Sequence, residues 1–537
     1  MNASAPPPPL PIATIPLGDM QGGQGGQGGQ GALGVTFCPG KSDPMASDGL
    51  WSRDLPADLG SVRAWGAQAL VTLLEDDEFD LLHVRSLGDM AESAGLDWYH
   101  LPIPDMAAPG WQFERRWVYA GLRLRRLLRS GGRVVIHCRV GLGRSGTIAA
   151  RLLAELGMPP AEAISQVRKA RPGAIQSSEQ ERHVEGCRRI APAHDDAVAR
   201  RLACLLGGAL GDGFGYAVEF DSLADIHRLH GPTGLREPYF HHGELIVSDD
   251  TQMSLFTLEG LTRAMLAGEP GDPILIGQVR LAYLDWLATQ DPRAQGSNQS
   301  SRLLKHAAMH VQRAPGKTCL SALSQGGRGT PEQPINHSKG CGGVMRAGVV
   351  GLMPSMTPAR AFFIGTRIAA LTHGHPSGYL PAGVMAAVVR GLLEDLPLHA
   401  ALVQAVGLAR TWAGHEETLE LLQAAQHLAV LPFTSVLPEA LGQGWVGEQA
   451  LAIAVYATSR SQSFHEVMAI AANHSGDSDS TASLAGQLFG AQHGLESLPH
   501  AWIRRLDVLD AGLDLVDWSL PLWRRTMRPM SDYGKLA

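Results

Sequence analysis

VVIHCRVGLGRSGTIAARLL, Val134 to Leu153, decides how the first part of the chain folds. It opens on β-branched and apolar residues, so a buried strand runs up to His137, and Cys138 follows it. A helical pattern begins near Ser145. Cys138 and Arg144, with five residues between them, bracket the turn. Gly141 and Gly143 let that turn curl so that its N–H groups point inward at an anion. The positive end of the following helix reinforces the effect and favours a thiolate nucleophile at Cys138. Arg144 is placed to fork two donors onto a transferring phosphoryl group, and Ser145 to hydrogen-bond the departing thiolate. Arg139, Val140, Gly141, Leu142, Gly143 and Arg144 are therefore the expected phosphate-binding loop.

Outward from this loop, ALVTLL (Ala69 to Leu74) and WYHLPI (Trp98 to Ile103) read as further buried strands. Arg85 to Gly95, Phe113 to Ser130 and Ser145 to Gly157 read as helices. The alternation predicts an α/β unit with a mostly parallel sheet flanked by helices. The helix bearing Arg115, Arg116, Arg123, Arg125, Arg126 and Arg129 reads as a solvated face, with docking of an acidic substrate as the alternative.

The loop matches HCxxGxxRSG at every fixed position, and so resembles the protein-tyrosine and dual-specificity phosphatases. FCPGK (Phe37 to Lys41) and RPGAIQSSEQ (Arg171 to Gln180) are similar to the cyclin-dependent-kinase-associated phosphatase branch. The likeness covers residues 34–190. It implies a phosphocysteine intermediate and a general acid on a separate loop. Asp105 in LPIPDMAAP, 33 positions before Cys138, takes that role by resemblance, and Gln176 that of orienting the hydrolytic water.

The chain has 537 residues, which at roughly 150 residues per domain suggests two to four domains. Residues 1–33, with Pro6 to Pro9 and the glycine–glutamine tract from Gly22 to Gly31, are expected to form a disordered tail. Residues 34–190 carry 20 Lys and Arg against 19 Asp and Glu. The formal net charge of −7 therefore comes from the rest, and a boundary is expected near residue 195 with a linker over 191–199. Beyond it, Ala- and Leu-rich stretches such as ELLQAAQHLAVL (Glu420 to Leu431) predict an all-α domain over 200–525.

An acidic balance argues against a nucleic-acid partner. Six cysteines fit a reducing compartment. With no apolar run of about 18 residues and no basic-flanked leader, the expectation is a cytoplasmic chain with no membrane partner. Cys187, Cys204 and Cys319 read as buried core thiols.

Two acidic clusters open helices in the second domain. In Ser248-Asp249-Asp250-Thr251, Ser248 can cap the helix, and the aspartates sit where its dipole favours negative charge. Gly476-Asp477-Ser478-Asp479-Ser480-Thr481 places hard oxygen donors close together, as magnesium or manganese requires, without the downstream glutamate of a calcium hand. The stretch Arg201 to Phe220 adds Asp212 and Glu219.

This trio resembles the ADP-ribosylglycohydrolase family over residues 200–500, as do NHSKGCGGVMRAGVVGL (Asn336 to Leu352) and THGHPSGYLPAG (Thr372 to Gly383). The GCG and HPSGYL spellings and Ser480 are similar to the arginine-directed branch. The resemblance implies two Mg²⁺ ions, with Mn²⁺ as the alternative, held by Ser248, Asp249, Asp250, Asp477, Asp479 and Ser480. It makes Glu219 a gate or general acid/base, while Asp212 tightens the fold. His373, His375 and His474 divide between pocket lining and core packing, and Cys341 stands where other branches carry a different small polar residue.

The expected protein is a bifunctional hydrolase: a cysteine phosphatase fused to a metal-dependent hydrolase that frees ADP-ribose from arginine. Its substrates would be a phosphorylated molecule and an ADP-ribosylated protein. The alternatives are another ADP-ribose linkage, and an N-terminal unit that only binds phosphate.

Overall fold

The computed structural model describes residues 8–18, 31–43, 51–297, 300–432 and 437–525. The chain divides after Asp195 into two compact units.

The first unit is built on a five-stranded sheet. Its strands are β1 (Ala13–Pro16), β2 (Ala32–Phe37), β5 (Ala69–Thr72), β6 (Asp97–His100) and β7 (Arg133–Cys138). A separate short pair joins β3 (Ser42–Asp43) and β4 (Trp51–Ser52). The sheet order is β1-β2-β7-β5-β6, parallel throughout except at the β1 edge. In β7, Val134, Val135 and Ile136 are wholly buried, as a central parallel strand covered on both faces requires. Its register sets Cys138 beside Phe37 and His137 beside Thr72, so the cysteine leaves the carboxyl edge of the sheet at its centre. Crevices outside that edge are where open α/β sheets bind ligands.

The tail expected over residues 1–33 is corrected at Ala13–Pro16, which forms the antiparallel edge strand with Ala13 opposite Val35. The physical reason is alternation: Leu10, Ile15 and Leu17 are buried, while Thr36 Oγ1 donates to the Pro11 carbonyl at 2.8 Å. Residues 1–7 and 19–30 lie outside the described residues. The linker expected over 191–199 is corrected too, because Pro192–Tyr216 is one helix.

The arginine-rich helix is Trp111–Arg129, and the solvated-face expectation fails at its centre. Arg125 is buried and pairs with Glu155 at 2.6 Å and Asp195 at 2.7 Å, while Arg129 reaches Asp195 at 2.5 Å. A guanidinium can be buried this way because each charge meets a carboxylate and hydrogen bonds.

The second unit is helical. The helix Pro376–Leu393 is buried on nearly every face and packs against Pro358–Ala370, Leu398–Ala409 and Gly447–Arg460. The closest helix crossing positions the chemistry. A Cβ on Gly207 would lie 2.3 Å from the Gly486 carbonyl oxygen, one on Gly211 2.0 Å from that of Ala482, and one on Gly215 2.1 Å from that of Ser478. The numbers descend on one helix as they climb on the other, so Pro192–Tyr216 and Ser478–His493 run antiparallel with their backbones touching. The end of the first helix therefore meets the acidic start of the second. Among the described residues no helix is long and apolar enough to cross a membrane.

Candidate active sites

In the first unit, strand β7 delivers Cys138 into a tight loop, and the helix Gly143–Leu156 follows. Gly141 takes φ +76°, and a Cβ there would lie 2.4 Å from the Thr36 carbonyl oxygen, so only glycine fits. Its N–H donates to Cys138 Sγ at 3.3 Å, and Ser145 Oγ stands 3.5 Å from the same sulfur. Arg171 donates to the carbonyls of Gly141 at 3.0 Å and Val140 at 3.2 Å. Holding these carbonyls keeps the loop curled. Arg139 is tied to Asp43 at 2.8 Å and Val140 is exposed, while the Leu142 carbonyl accepts from Gly146 N at 3.0 Å and Ile175 N at 3.3 Å.

Arg144 is buried and held by Glu78 in a two-pronged pair of 2.5 and 2.8 Å, with the carbonyls of Ile103 and Leu73 at 3.1 and 3.3 Å. Burial works against both charges. The pairing wins, holding Glu78 below the usual carboxylate range and Arg144 above its ordinary value. Asp105 Oδ1 is 3.2 Å from Arg144 Nη2 on an exposed turn, so the structure brings the expected acid to the loop. That turn is pinned by Ser177 Oγ on the Met106 carbonyl and Gln180 Nε2 on that of Ala107, both at 3.1 Å. A Cβ on Gly143 would meet Gln176 Oε1 at 2.8 Å and Gln180 Nε2 at 3.1 Å, so both amides overlie the end of the loop, where the helix begins. His137 lies beneath the loop, bonded to Thr72 Oγ1 at 2.7 Å, and burial pushes its pKa down to about 3, leaving a neutral ring.

In the second unit, Ser248 caps the helix Asp249–Leu266, its Oγ accepting from Asp250 N at 3.2 Å. Asp212, wholly buried, accepts from Ser248 N at 2.8 Å and Thr251 N at 3.0 Å, so it braces the first acidic cluster. Asp249 accepts from Gly316 N at 3.2 Å. Asp477 and Asp479 begin the helix Ser478–His493, and Ser480 N donates to Asp479 Oδ1 at 2.8 Å.

Glu219, Asp477 and Asp479 converge, each offering a carboxylate oxygen within 4.8 Å of the others. Asp250 Oδ2 and Glu219 Oε2 are buried with no hydrogen-bond partner in the protein. Burial, and then repulsion from neighbouring carboxylates, drives Glu219 up to about 10 and Asp250 well above the carboxylate range. Asp477 is pushed the same way, by burial first and Asp479 next. Crowded, dehydrated carboxylates with orphaned oxygens fit a divalent cation. Glu219 thus stands among the ligand candidates, although the sequence points to a gate or an acid.

The histidines separate. His375 caps the helix Pro376–Leu393 through Nδ1, His474 is buried with Nε2 on the Ala471 carbonyl at 2.9 Å, and His373 is buried against Thr372 and the Gly340–Gly342 turn. Cys204 and Cys319 are buried as expected; Cys187 is only half-buried, a correction. Arg346, fully buried, has Nη1 3.2 Å from Cys319 Sγ and its guanidinium over the Tyr283 ring. Cys341 Sγ lies 2.6 Å from Asp477 Oδ2.

The profile of the ADP-ribosylglycohydrolase family matches residues 193–529, well over half of the chain. The chain belongs to the ADP-ribosylglycohydrolase family. A second profile, described as a polymorphic toxin system DSP-PTPase phosphatase, matches residues 53–158. This family member is therefore an enzyme with an ADP-ribosylglycohydrolase domain and a dual-specificity-type phosphatase domain.

Cyclin-dependent kinase inhibitor 3 of Rattus norvegicus is 30% identical over 135 residues, 24% of this chain and 60% of the rat protein. The chain thus spans about 60% of the length of that relative. ADP-ribosylarginine hydrolase Tri1 of Pseudomonas putida (strain GB-1) is 39% identical over 56 residues, 10% of this chain and 15% of that protein. Among solved structures, a kinase associated phosphatase with its catalytic cysteine changed to serine is 26% identical, covering 33% of this chain and 93% of its own at a TM-score of 0.28. An ADP-ribosylglycohydrolase-related protein complex is 22% identical, covering 62% and 99% at a TM-score of 0.43.

Three participants escape the sequence. Glu78 sits in the acidic run Glu75 to Asp80, whose pairing with Arg144 spans 66 positions. Gln180 is half of a capping box with Ser177, a signal that could have placed it. The contact of Cys341 with Asp477 crosses 136 positions and has no local signal.

Proposed function

We propose that the helical unit hydrolyses the bond between ADP-ribose and an arginine side chain, and that the first unit is a cysteine-dependent phosphomonoesterase. The observation that carries the first half is the convergence of Glu219, Asp477 and Asp479 beside the unpartnered oxygens of Asp250 and Glu219. The candidate ligands are Asp249, Asp250, Asp477 and Asp479, with Ser248, Ser480 and Glu219 beside them. Magnesium or manganese bound by these residues would supply the positive charge that holds a ribose diol and polarises a water.

The chain's own groups do the rest. Glu219, beside these ligands, holds a proton on Oε2, passes it to the departing guanidine nitrogen, and takes up the proton that water releases as it adds to the anomeric carbon. Asp212 keeps the first acidic turn in place through its two backbone acceptances. Arginine as the acceptor rests on the short match to an ADP-ribosylarginine hydrolase and on the GCG and HPSGYL spellings.

In the first unit, Cys138 Sγ attacks phosphorus while Arg144 and the loop amides bind the phosphoryl oxygens. Asp105 protonates the leaving oxygen. Water, held by Gln176 and Gln180, then attacks phosphorus, gives its proton to the Asp105 carboxylate and displaces the Cys138 thiolate, which Ser145 hydrogen-bonds as it leaves.

The test presents the full chain with proteins carrying ADP-ribose on arginine, serine or asparagine, and measures free ADP-ribose. Release from arginine alone is expected. Release from serine or asparagine but not arginine overturns the linkage and keeps the hydrolase.

A further inference from the structure

One thiol stands against a carboxylate of the acidic centre, and nothing in the hydrolysis just described uses it. Cys341 opens the short turn Cys341–Gly343, and its Sγ lies 2.6 Å from Asp477 Oδ2. Burial, and then the charges of Asp477 and Asp250, push this thiol up, while the Ser480 hydroxyl works the other way. Asp250 is 2% exposed, and its Oδ2 has no partner in the protein. A buried carboxylate oxygen without a partner has lost its solvation, and a proton or a cation must meet it. The sulfur thus lies against Asp477, one of three converging carboxylates with Glu219 and Asp479.

The backbone gives the thiol little room to turn away. A Cβ on Gly343 would lie 2.3 Å from the Gly378 carbonyl oxygen, so the turn is pressed against the helix Pro376–Leu393. On the facing loop, a Cβ on Gly476 would lie 1.9 Å from the Gln443 carbonyl oxygen. Cys341 N is held by the Trp445 carbonyl at 3.3 Å, and Asp477 N by that of Gln443 at 2.9 Å. Both sides of the sulfur–carboxylate contact are anchored.

Donor chemistry then decides what such a site takes. Carboxylates and hydroxyls alone select hard ions such as magnesium and manganese, whereas a thiolate shifts preference to zinc, cadmium and cobalt. We propose that Cys341 is a metal-ligating residue, and that the acidic centre binds a thiophilic divalent ion through Cys341 Sγ, Asp477 and the adjoining carboxylates. On binding, the S–H bond breaks, its proton passes to solvent, and a sulfur–metal bond forms, with nothing oxidised or reduced. Zinc therefore competes with magnesium for the centre. The inference rests on the reading of that centre as a divalent-cation site.

The experiment uses the full chain, stripped of metal with a chelator and titrated with Co²⁺, and reads the near-ultraviolet sulfur-to-cobalt charge-transfer band. Carboxylate-only sites lack that band. It is expected in the unaltered chain and in Cys138→Ser, to vanish on addition of Zn²⁺, and to be lost in Cys341→Ser and Cys341→Ala. Folding of these two variants is checked by their Mn²⁺-induced rise in melting temperature. A band that persists in both overturns the inference, as does its absence from the unaltered chain when Mn²⁺ still raises the melting temperature. If neither Mn²⁺ nor Co²⁺ binds the unaltered chain, the cation-site reading itself falls, and the inference with it.

Discussion

Glu78 grips Arg144 with both carboxylate oxygens, at 2.5 and 2.8 Å, and the pair is nearly sealed from solvent. The contact fixes the guanidinium that must face the phosphoryl group. Glu78→Gln leaves a buried guanidinium without its counter-charge, which costs about 3–5 kcal/mol of stability. A loosened Arg144 is also expected to lower kcat on an aryl phosphate by about 100-fold. Denaturant unfolding and steady-state kinetics check the two effects. Unchanged kcat would show that Arg144 is positioned by something else.

The two reactions use separate residues. Cys138→Ser is expected to abolish turnover of an aryl phosphate and leave ADP-ribose release as it was. Both activities are measured on the same preparation. An equal loss of both would refute independent sites.

Close backbone packing positions the hydrolase residues. Gly211→Ala places a methyl 2.0 Å from the Ala482 carbonyl oxygen, so the helix pair must separate. Roughly 1–3 kcal/mol of destabilisation is expected from such overpacking, together with weaker ADP-ribose release. Gly277→Ala, in the helix Asp272–Gln290 with nothing within 4 Å, is the contrast. It should stabilise by about 0.4–1 kcal/mol by restricting the unfolded chain. Calorimetry distinguishes the two, and equal effects would remove the packing argument.

Stability should depend on pH through the crowded carboxylates. Burial and Asp479 hold Asp212 up at about 7, while burial, Asp479 and Asp477 hold Glu219 at about 10. The folded, metal-free chain then keeps protons that the unfolded chain has released. The stability that these two groups contribute is fully present below about pH 4 and is lost as pH rises through the folded-state values. Through these groups the melting temperature of chelator-treated protein should fall between about pH 4 and about pH 10, and added Mn²⁺ should raise it most at the upper end. Asp477→Asn with Asp479→Asn should flatten that fall. A steeper fall in the double variant would contradict the assignment.

What the sequence discloses follows from distance along the chain. The cysteine loop is local: strand, glycines, arginine and helix occupy Arg133 to Leu156, so composition and spacing suffice to place it. The acidic turns at Asp249 and Asp477 are legible for the same reason, since each opens a helix. Their juxtaposition depends on the glycine-lined crossing of two helices whose facing residues are 263 to 279 positions apart, which spacing does not encode. Arg125 looks solvent-facing until Glu155 and Asp195 are seen to neutralise it. The strand Ala13–Pro16 is hidden by its proline- and glycine-rich surroundings, although Leu10, Ile15 and Leu17 carry the burial that pins it.

The most direct measurement is release of free ADP-ribose from an arginine-ADP-ribosylated protein, with added magnesium and with chelator, by the unaltered chain and by Asp477→Asn with Asp479→Asn. Magnesium-dependent release by the unaltered chain, lost in the double variant, is the predicted result. Undiminished release with chelator, or by the double variant, would contradict a cation centre built on these aspartates.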